Sequence, residues 1–188
     1  SERATSAAGE EGLIQKVESF INNLPSTSTL DVRTITPTSV STAPGQPIVI
    51  TGSTLGQTDS VRTTQTEGFV IDLTQMPSAA PTQLQLHSID LAVIFGPAVI
   101  TGGTGSNVVI ADNAPQRIVL GEDNDTLYGG GGNDTIGSAA GDDLLIGGKG
   151  RDLITGGADN DTLDGGTRAD TLAGGSGNDV LSGGTGRD

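Results

Sequence analysis

Polar and apolar positions along this chain follow three successive patterns. In EEGLIQKVESFINNL (10–24), Leu13, Val17, Phe20, Ile21 and Leu24 recur at helical spacing. Glu10 and Glu11 suit a first helical turn and Pro25 ends it, so residues 1–25 are predicted to hold a short docking helix. Residues 26–47, rich in Ser, Thr and Pro, read as a linker or extended arm. Short β-prone runs follow at 47–51, 68–73 and 83–95. In the last, Leu84 and Leu86 alternate with Gln83, Gln85 and His87, and the single His reads as a solvated strand residue. Residues 48–101 are therefore predicted to form a non-repetitive β cap.

From residue 120 the pattern recurs every nine residues. The units are LGEDNDTLY, GGGGNDTIG, SAAGDDLLI, GGKGRDLIT, GGADNDTLD, GGTRADTLA, GGSGNDVLS and a broken GGTGRD. Their sixth position is always Asp: Asp125, Asp134, Asp143, Asp152, Asp161, Asp170, Asp179 and Asp188. Their eighth is always Leu or Ile: Leu127, Ile136, Leu145, Ile154, Leu163, Leu172 and Leu181. Upstream, GGTGSNVVI and ADNAPQRIV (102–119) keep the period but place Asn107 and Gln116 at the sixth position. In each unit about six residues favour turns and about three favour a strand. A strand that short is not stable alone. Stacking solves this if each strand pairs with the one two units on, giving an 18-residue coil whose Leu and Ile line a narrow interior between two parallel sheets.

Composition agrees with a narrow interior. The 188 residues include 30 Gly, three Phe, one Tyr and no Trp, too little bulk for an ordinary two-layer core. Asp and Glu outnumber Lys and Arg 23 to 9, for a net charge of −14. That excludes nucleic acid and anionic membrane surfaces, which need a basic face. Without Cys there is no disulfide scaffold or thiolate metal site. No apolar run is long enough for a transmembrane segment. The chain opens at Ser1 without Met or a signal peptide and stops at Asp188 inside a repeat, so it reads as a fragment of something longer.

Charge also gives the repeat its chemistry. Stacking puts Asp125, Asp143, Asp161 and Asp179 in one row and Asp134, Asp152, Asp170 and Asp188 in another. Carboxylates about 4.8 Å apart repel unless cations lie between them. Carboxylate and carbonyl oxygens favour several Ca²⁺ ions; Mg²⁺ demands a tighter octahedron, and Zn²⁺ would want His or Cys. The repeats should therefore fold on binding Ca²⁺ and be largely disordered without it. Other chemistries fit less well. Gly148-Lys149 is followed by Gly150, not Ser or Thr, so it is no P-loop. The two DNDT segments lack the later Gly and Glu of an EF-hand. An Asp in every repeat is unlike a unique catalytic pair, and no catalytic residue is assigned: the region does not read as an enzyme.

The repeats resemble the RTX family of nonapeptides, written GGxGxDxUx with U a large apolar residue. The resemblance covers 120–188, faintly 102–119, and leaves 1–101 outside. It implies a right-handed parallel β-roll with Ca²⁺ in its turns, in a Gram-negative protein exported unfolded by a type I system and folded by external calcium. It implies that one turn supplies carbonyls at its second and fourth positions plus its Asp. The turn 18 residues on supplies carbonyls at its first and third positions plus its own Asp.

Carried onto this chain, Gly121, Asp123 and Asp125 face Ser138, Ala140 and Asp143, while Ala139, Gly141 and Asp143 face Gly156, Ala158 and Asp161. Gly157, Asp159 and Asp161 face Gly174, Ser176 and Asp179. In the other row Gly130, Gly132 and Asp134 face Gly147, Lys149 and Asp152, and Gly148, Gly150 and Asp152 face Gly165, Thr167 and Asp170. Gly166, Arg168 and Asp170 face Gly183, Thr185 and Asp188. The lost Gly pair in SAAGDD weakens or strains one turn. Asp159 and Arg168 at a usual Gly position loosen two more, and Asp188 frays.

The expected fold is thus mainly β: degenerate repeats (102–119) and a calcium-binding roll (120–188), capped by the N-terminal helix and a short irregular β segment. The expected function is the calcium-binding repeat region of a secreted or cell-surface bacterial protein, acting as scaffold and secretion-coupled folding module. Two alternatives stay open. One is the accessory region of a secreted enzyme or toxin whose active domain lies elsewhere. The other is a surface-layer or adhesin segment, for which self-association is expected. Calcium and a type I secretion apparatus are the candidate partners. Asn107 and Gln116 are expected to hold their turns without calcium.

Overall fold

A computed structural model describes residues 14–24, 29–35, 48–51, 65–74, 82–87, 90–102 and 105–188, with side chains for 14–24, 68–74, 90–102 and 105–188. It contains a helix, α1 (14–23). The strands are β1 (Thr29–Ile35), β2 (Ile48–Thr51), β3 (Gln65–Asp72), β4 (Thr82–His87), β5 (Leu91–Phe95), β6 (Ala98–Gly102), β7 (Val108–Ala111) and β8 (Arg117–Val119). β9 (Thr126–Tyr128), β10 (Thr135–Gly137), β11 (Leu144–Lys149), β12 (Leu153–Ala158), β13 (Thr162–Thr167), β14 (Thr171–Ser176) and β15 (Val180–Ser182) complete the series.

Odd-numbered strands form one sheet and even-numbered strands the other, each in chain order, so every coil contributes one strand to each sheet. The pairings are parallel, as in Val108↔Thr126 and Thr126↔Leu144 on one side and Arg117↔Thr135 and Thr135↔Leu153 on the other. Each step is 18 residues. This is the mainly β parallel roll read from the repeat.

The two sheets start well before the nonapeptides. Residues 26–47, read as a linker or arm, contain β1, which pairs along its whole length with β3. Residues 48–101, read as an irregular cap, supply β2 to β6 to the same sheets. Coil length varies there: Thr29 pairs with Gln65, Gly68 with Leu91, and Leu91 with Val108. Parallel pairing constrains the strands and leaves the loop length free, so these coils stack without a period in the sequence.

The strands are also longer than three residues in the heart of the roll. β11 to β14 run six residues, through the Gly pair into the third position of the next unit, and pairing skips the first Gly and resumes at the second. Without a Cβ the two turns approach closely enough for their backbones to pair again.

Between the sheets lies one continuous cluster of apolar side chains. Phe69, Ile71, Ile94, Ile100, Val109, Ile118, Leu127, Ile136, Leu145, Ile154 and Leu163 are buried there. At the far end Leu172 is only partly buried, and Leu181 is exposed.

β5 and β7 bury their other face too. Leu91, Val93 and Ile110 form a second cluster with Val70, Phe95, Val108 and Tyr128, against which Val17 and Phe20 of α1 pack. Lys16 Nζ stands 4.5 Å from the centre of the Tyr128 ring, a cation–π contact. The predicted docking helix is therefore real, but it lies on the outer face of the odd-numbered sheet and not over the end of the first coil. Ile21, assigned to the docking face, is 44% exposed; the apolar contacts of α1 come from Val17 and Phe20. Leu13 and Pro25 lie outside the described residues, and so does the side chain of His87. A Phe20→Ala variant is expected to lose about 1–2 kcal/mol, less than a fully buried Phe, read as a lower thermal midpoint with Ca²⁺ present.

Candidate metal centre

Each sixth-position residue from Asn107 to Asp179 sits at the end of its turn, directly before a strand. The stacking aligns these residues into two ladders of hydrogen bonds. On the odd-numbered side the backbone N–H groups of Asn107, Asp125, Asp143 and Asp161 donate to Oδ1 of Asp125, Asp143, Asp161 and Asp179, at 2.7, 2.7, 3.0 and 3.0 Å. On the even-numbered side those of Gln116, Asp134, Asp152 and Asp170 donate to Oδ1 of Asp134, Asp152, Asp170 and Asp188, at 2.8, 2.8, 2.8 and 2.9 Å. Asp125, Asp134, Asp143, Asp152, Asp161 and Asp170 are buried, and Asp179 is half-buried. Asp188 is exposed at the end of its ladder.

The ladder engages one oxygen of each carboxylate. Oδ2 of Asp134, Asp143, Asp152, Asp161 and Asp170 is buried with no hydrogen-bond partner. Buried acceptors left this way are costly. Burial pushes Asp134 up to about 7, with Asp152 and Asp112 adding repulsion and the Gln116 N–H pulling back. Burial likewise pushes Asp125 up to about 6, against the pull of the Asn107 N–H. Asp143, Asp152 and Asp161 are raised for the same first reason, each with the next Asp of its row adding to the effect. The rows are thus short of positive charge.

The turns named from the sequence are brought together in that register. Gly131 bridges Lys149, Ala140 bridges Ala158, and Thr167 bridges Thr185. The carbonyls of Gly130, Ala139 and Gly166 accept the N–H groups of Lys149, Ala158 and Thr185, at 2.9, 3.1 and 2.8 Å. Oδ2 of Asp152, Asp161 and Asp170 lies beside the first Gly of its own unit, Gly147, Gly156 and Gly165 respectively, where a Cβ would displace it. Among the described residues no three His, Cys, Asp or Glu side chains form a cage. A cation held here would take one carboxylate from each of two turns and complete its shell with carbonyls and water. That hard, loose, all-oxygen donor set suits Ca²⁺ better than Mg²⁺ or Zn²⁺.

The irregular turns differ in defined ways. Asp123, Asp159 and Arg168 all occupy the fourth position with φ of 76°, 76° and 85°, a left-handed conformation that costs about 1–2 kcal/mol outside Gly. Arg168→Gly is expected to raise the thermal midpoint of the Ca²⁺-loaded protein by about 2–4 °C. In SAAGDD, Ser138 stands at the position of the first Gly. Its hydroxyl reaches Gly121 O at 3.2 Å and Asp125 Oδ2 at 3.4 Å, so Asp125 is the one buried Asp whose second oxygen has a protein donor.

Two further features are invisible as a rank in the sequence. Fifth-position side chains form an outer ladder running the other way: Asn124, Asn133, Asp142 and Asn160 accept the backbone N–H groups of Asp142, Arg151, Asn160 and Asn178 at 2.9–3.0 Å. Arg and Ala interrupt this position, and that hid it. Above the repeats, Asp112 accepts N–H groups from Gly96 and Ala114 at 2.9 Å each and from Gln116 Nε2 at 2.7 Å.

The family model for the RTX calcium-binding nonapeptide repeat (4 copies) matches residues 101–136, 116–145, 138–167 and 164–188. No curated protein and no solved structure matches the chain. RTX nonapeptide repeats bind Ca²⁺, and the donor set on both edges fits that ion. No described helix is long and apolar enough to cross a membrane.

Proposed function

Residues 101–188 belong to the RTX calcium-binding nonapeptide repeats, and from this we propose that the chain is the calcium-binding region of a secreted or cell-surface bacterial protein, a scaffold that folds when it meets calcium outside the cell. The observation that carries the reading is the row of buried, unpartnered Asp oxygens. Where calcium is scarce these carboxylates disfavour the folded roll, which suits export of an unfolded chain through a type I system. Where calcium is abundant the same carboxylates become ligands and the roll closes.

The residues that would hold Ca²⁺ are the sixth-position Asp pairs 18 residues apart, with carbonyls of the same two turns. The roll itself is a structural fold. A far-UV circular dichroism titration tests the reading. A rise of β signal with Ca²⁺ and not with Mg²⁺ is expected. The same spectrum in EDTA as in Ca²⁺ would refute it.

A further inference from the structure

On the even-numbered edge the hydrogen-bond ladder continues one step above Asp134. Gln116 is 4% exposed and stands where an Asp would, with its backbone N–H on Asp134 Oδ1 at 2.8 Å. Its side-chain amide has a fixed direction. Nε2 donates to Asp112 Oδ1 at 2.7 Å and to Gly96 O at 3.3 Å. Turning the amide over would set its oxygen against a carboxylate and a carbonyl. Oε1 is therefore the end left over, and it is buried with no donor. On the adjoining turn Asp134 Oδ2 is buried with no donor as well. Gly130 and Gly132 lie against the carbonyls of Asp112 and Ala114 where a Cβ would intrude, the same close approach of turns that the Asp-bearing coils show.

We propose that Gln116 Oε1 and Asp134 Oδ2 together hold a Ca²⁺ ion between the turns at 112–116 and 129–134, one step above the first Asp pair on that edge. Two buried acceptors on stacked turns with no protein donor need a positive partner, and an amide oxygen is an ordinary Ca²⁺ ligand. Asp112 is then a positioning residue: it fixes the amide so that its oxygen faces the ion. This reverses the expectation that the Gln116 turn holds without calcium. The inference rests on the calcium reading above.

Bound Ca²⁺ per full chain is counted by equilibrium dialysis for the wild type and Gln116→Met. The Met variant, which removes the side-chain oxygen, is expected to bind one ion fewer. In parallel the Gln116 side-chain carbonyl ¹³C resonance of the wild type is followed through the titration, which needs no variant to fold. It is expected to move as Ca²⁺ is added. An unchanged ion count in Gln116→Met, or an unmoved resonance at Ca²⁺ saturation, overturns the site. A wild type that binds no Ca²⁺ at all overturns the calcium reading itself, and the ion count separates the two failures.

Discussion

In EDTA at pH 8 the chain is expected to lose its β structure from the Gln116 turn onward and keep it over 90–111. The two parts are stabilised differently. β5 and β7 bury apolar side chains on both faces, inside the roll and under α1. The turns from Asp125 to Asp170 each have one interior Leu or Ile and one buried carboxylate. Without cations the second part bears the cost of burying those charges with little apolar area to offset it. Hydrogen exchange read by mass spectrometry would locate the boundary. Uniform protection across both parts in EDTA would contradict this account.

Acid should partly restore the metal-free repeats. Asp125 and Asp134 are raised from 3.8 to about 6 and about 7, so between pH 4 and 7 the folded state holds more protons than the unfolded one. Stability without calcium is then full below pH 4 and is lost as pH rises through 6 and 7, by several kcal/mol in sum. With Ca²⁺ bound the slope inverts, because protons compete for the same oxygens and binding weakens as pH falls through that window. Thermal midpoints in EDTA and in Ca²⁺ should therefore slope in opposite directions between pH 4.5 and 8. Parallel slopes would mean that the buried carboxylates are not the linked groups.

Gly150→Ala should cost at least one bound Ca²⁺ and a few kcal/mol of stability in the loaded protein. Gly150 has φ of 153°, and a Cβ there would overlap the Gly132 carbonyl oxygen of the turn above. The two turns would have to separate, and with them the Gly131–Lys149 bridge and the 2.8 Å bond from Asp134 N–H to Asp152 Oδ1. Lys149→Ala, next door and exposed, is the control and should bind like the wild type. Equal calcium isotherms for the two variants would show that the close approach of the turns does not govern the site.

Most of the roll from 120 onward was legible in the sequence because each nonapeptide restates the same local demands. Gly answers a left-handed turn, Leu or Ile an interior with room for one side chain, and Asp a rank of charge. Eighteen residues per coil follow from strands that pair two units apart. The Asp rows follow from that register, and the choice of Ca²⁺ from the oxygen chemistry. Local periodicity and tertiary stacking coincide there, so reading one reads the other.

Above residue 102 they part. Parallel pairing needs matched strands but tolerates loops of any length, and steps as unequal as Thr29↔Gln65 and Leu91↔Val108 leave no period to read. The apolar face of α1 foretold docking. Its place on the outside of β5 and β7 depended on residues far apart in the chain, Leu91, Val93 and Ile110 among them. The aim of Gln116 was decided last of all. Its amide points as it does only because Asp112 and Gly96 hold its nitrogen, and such a partnership comes into being only when the coils stack.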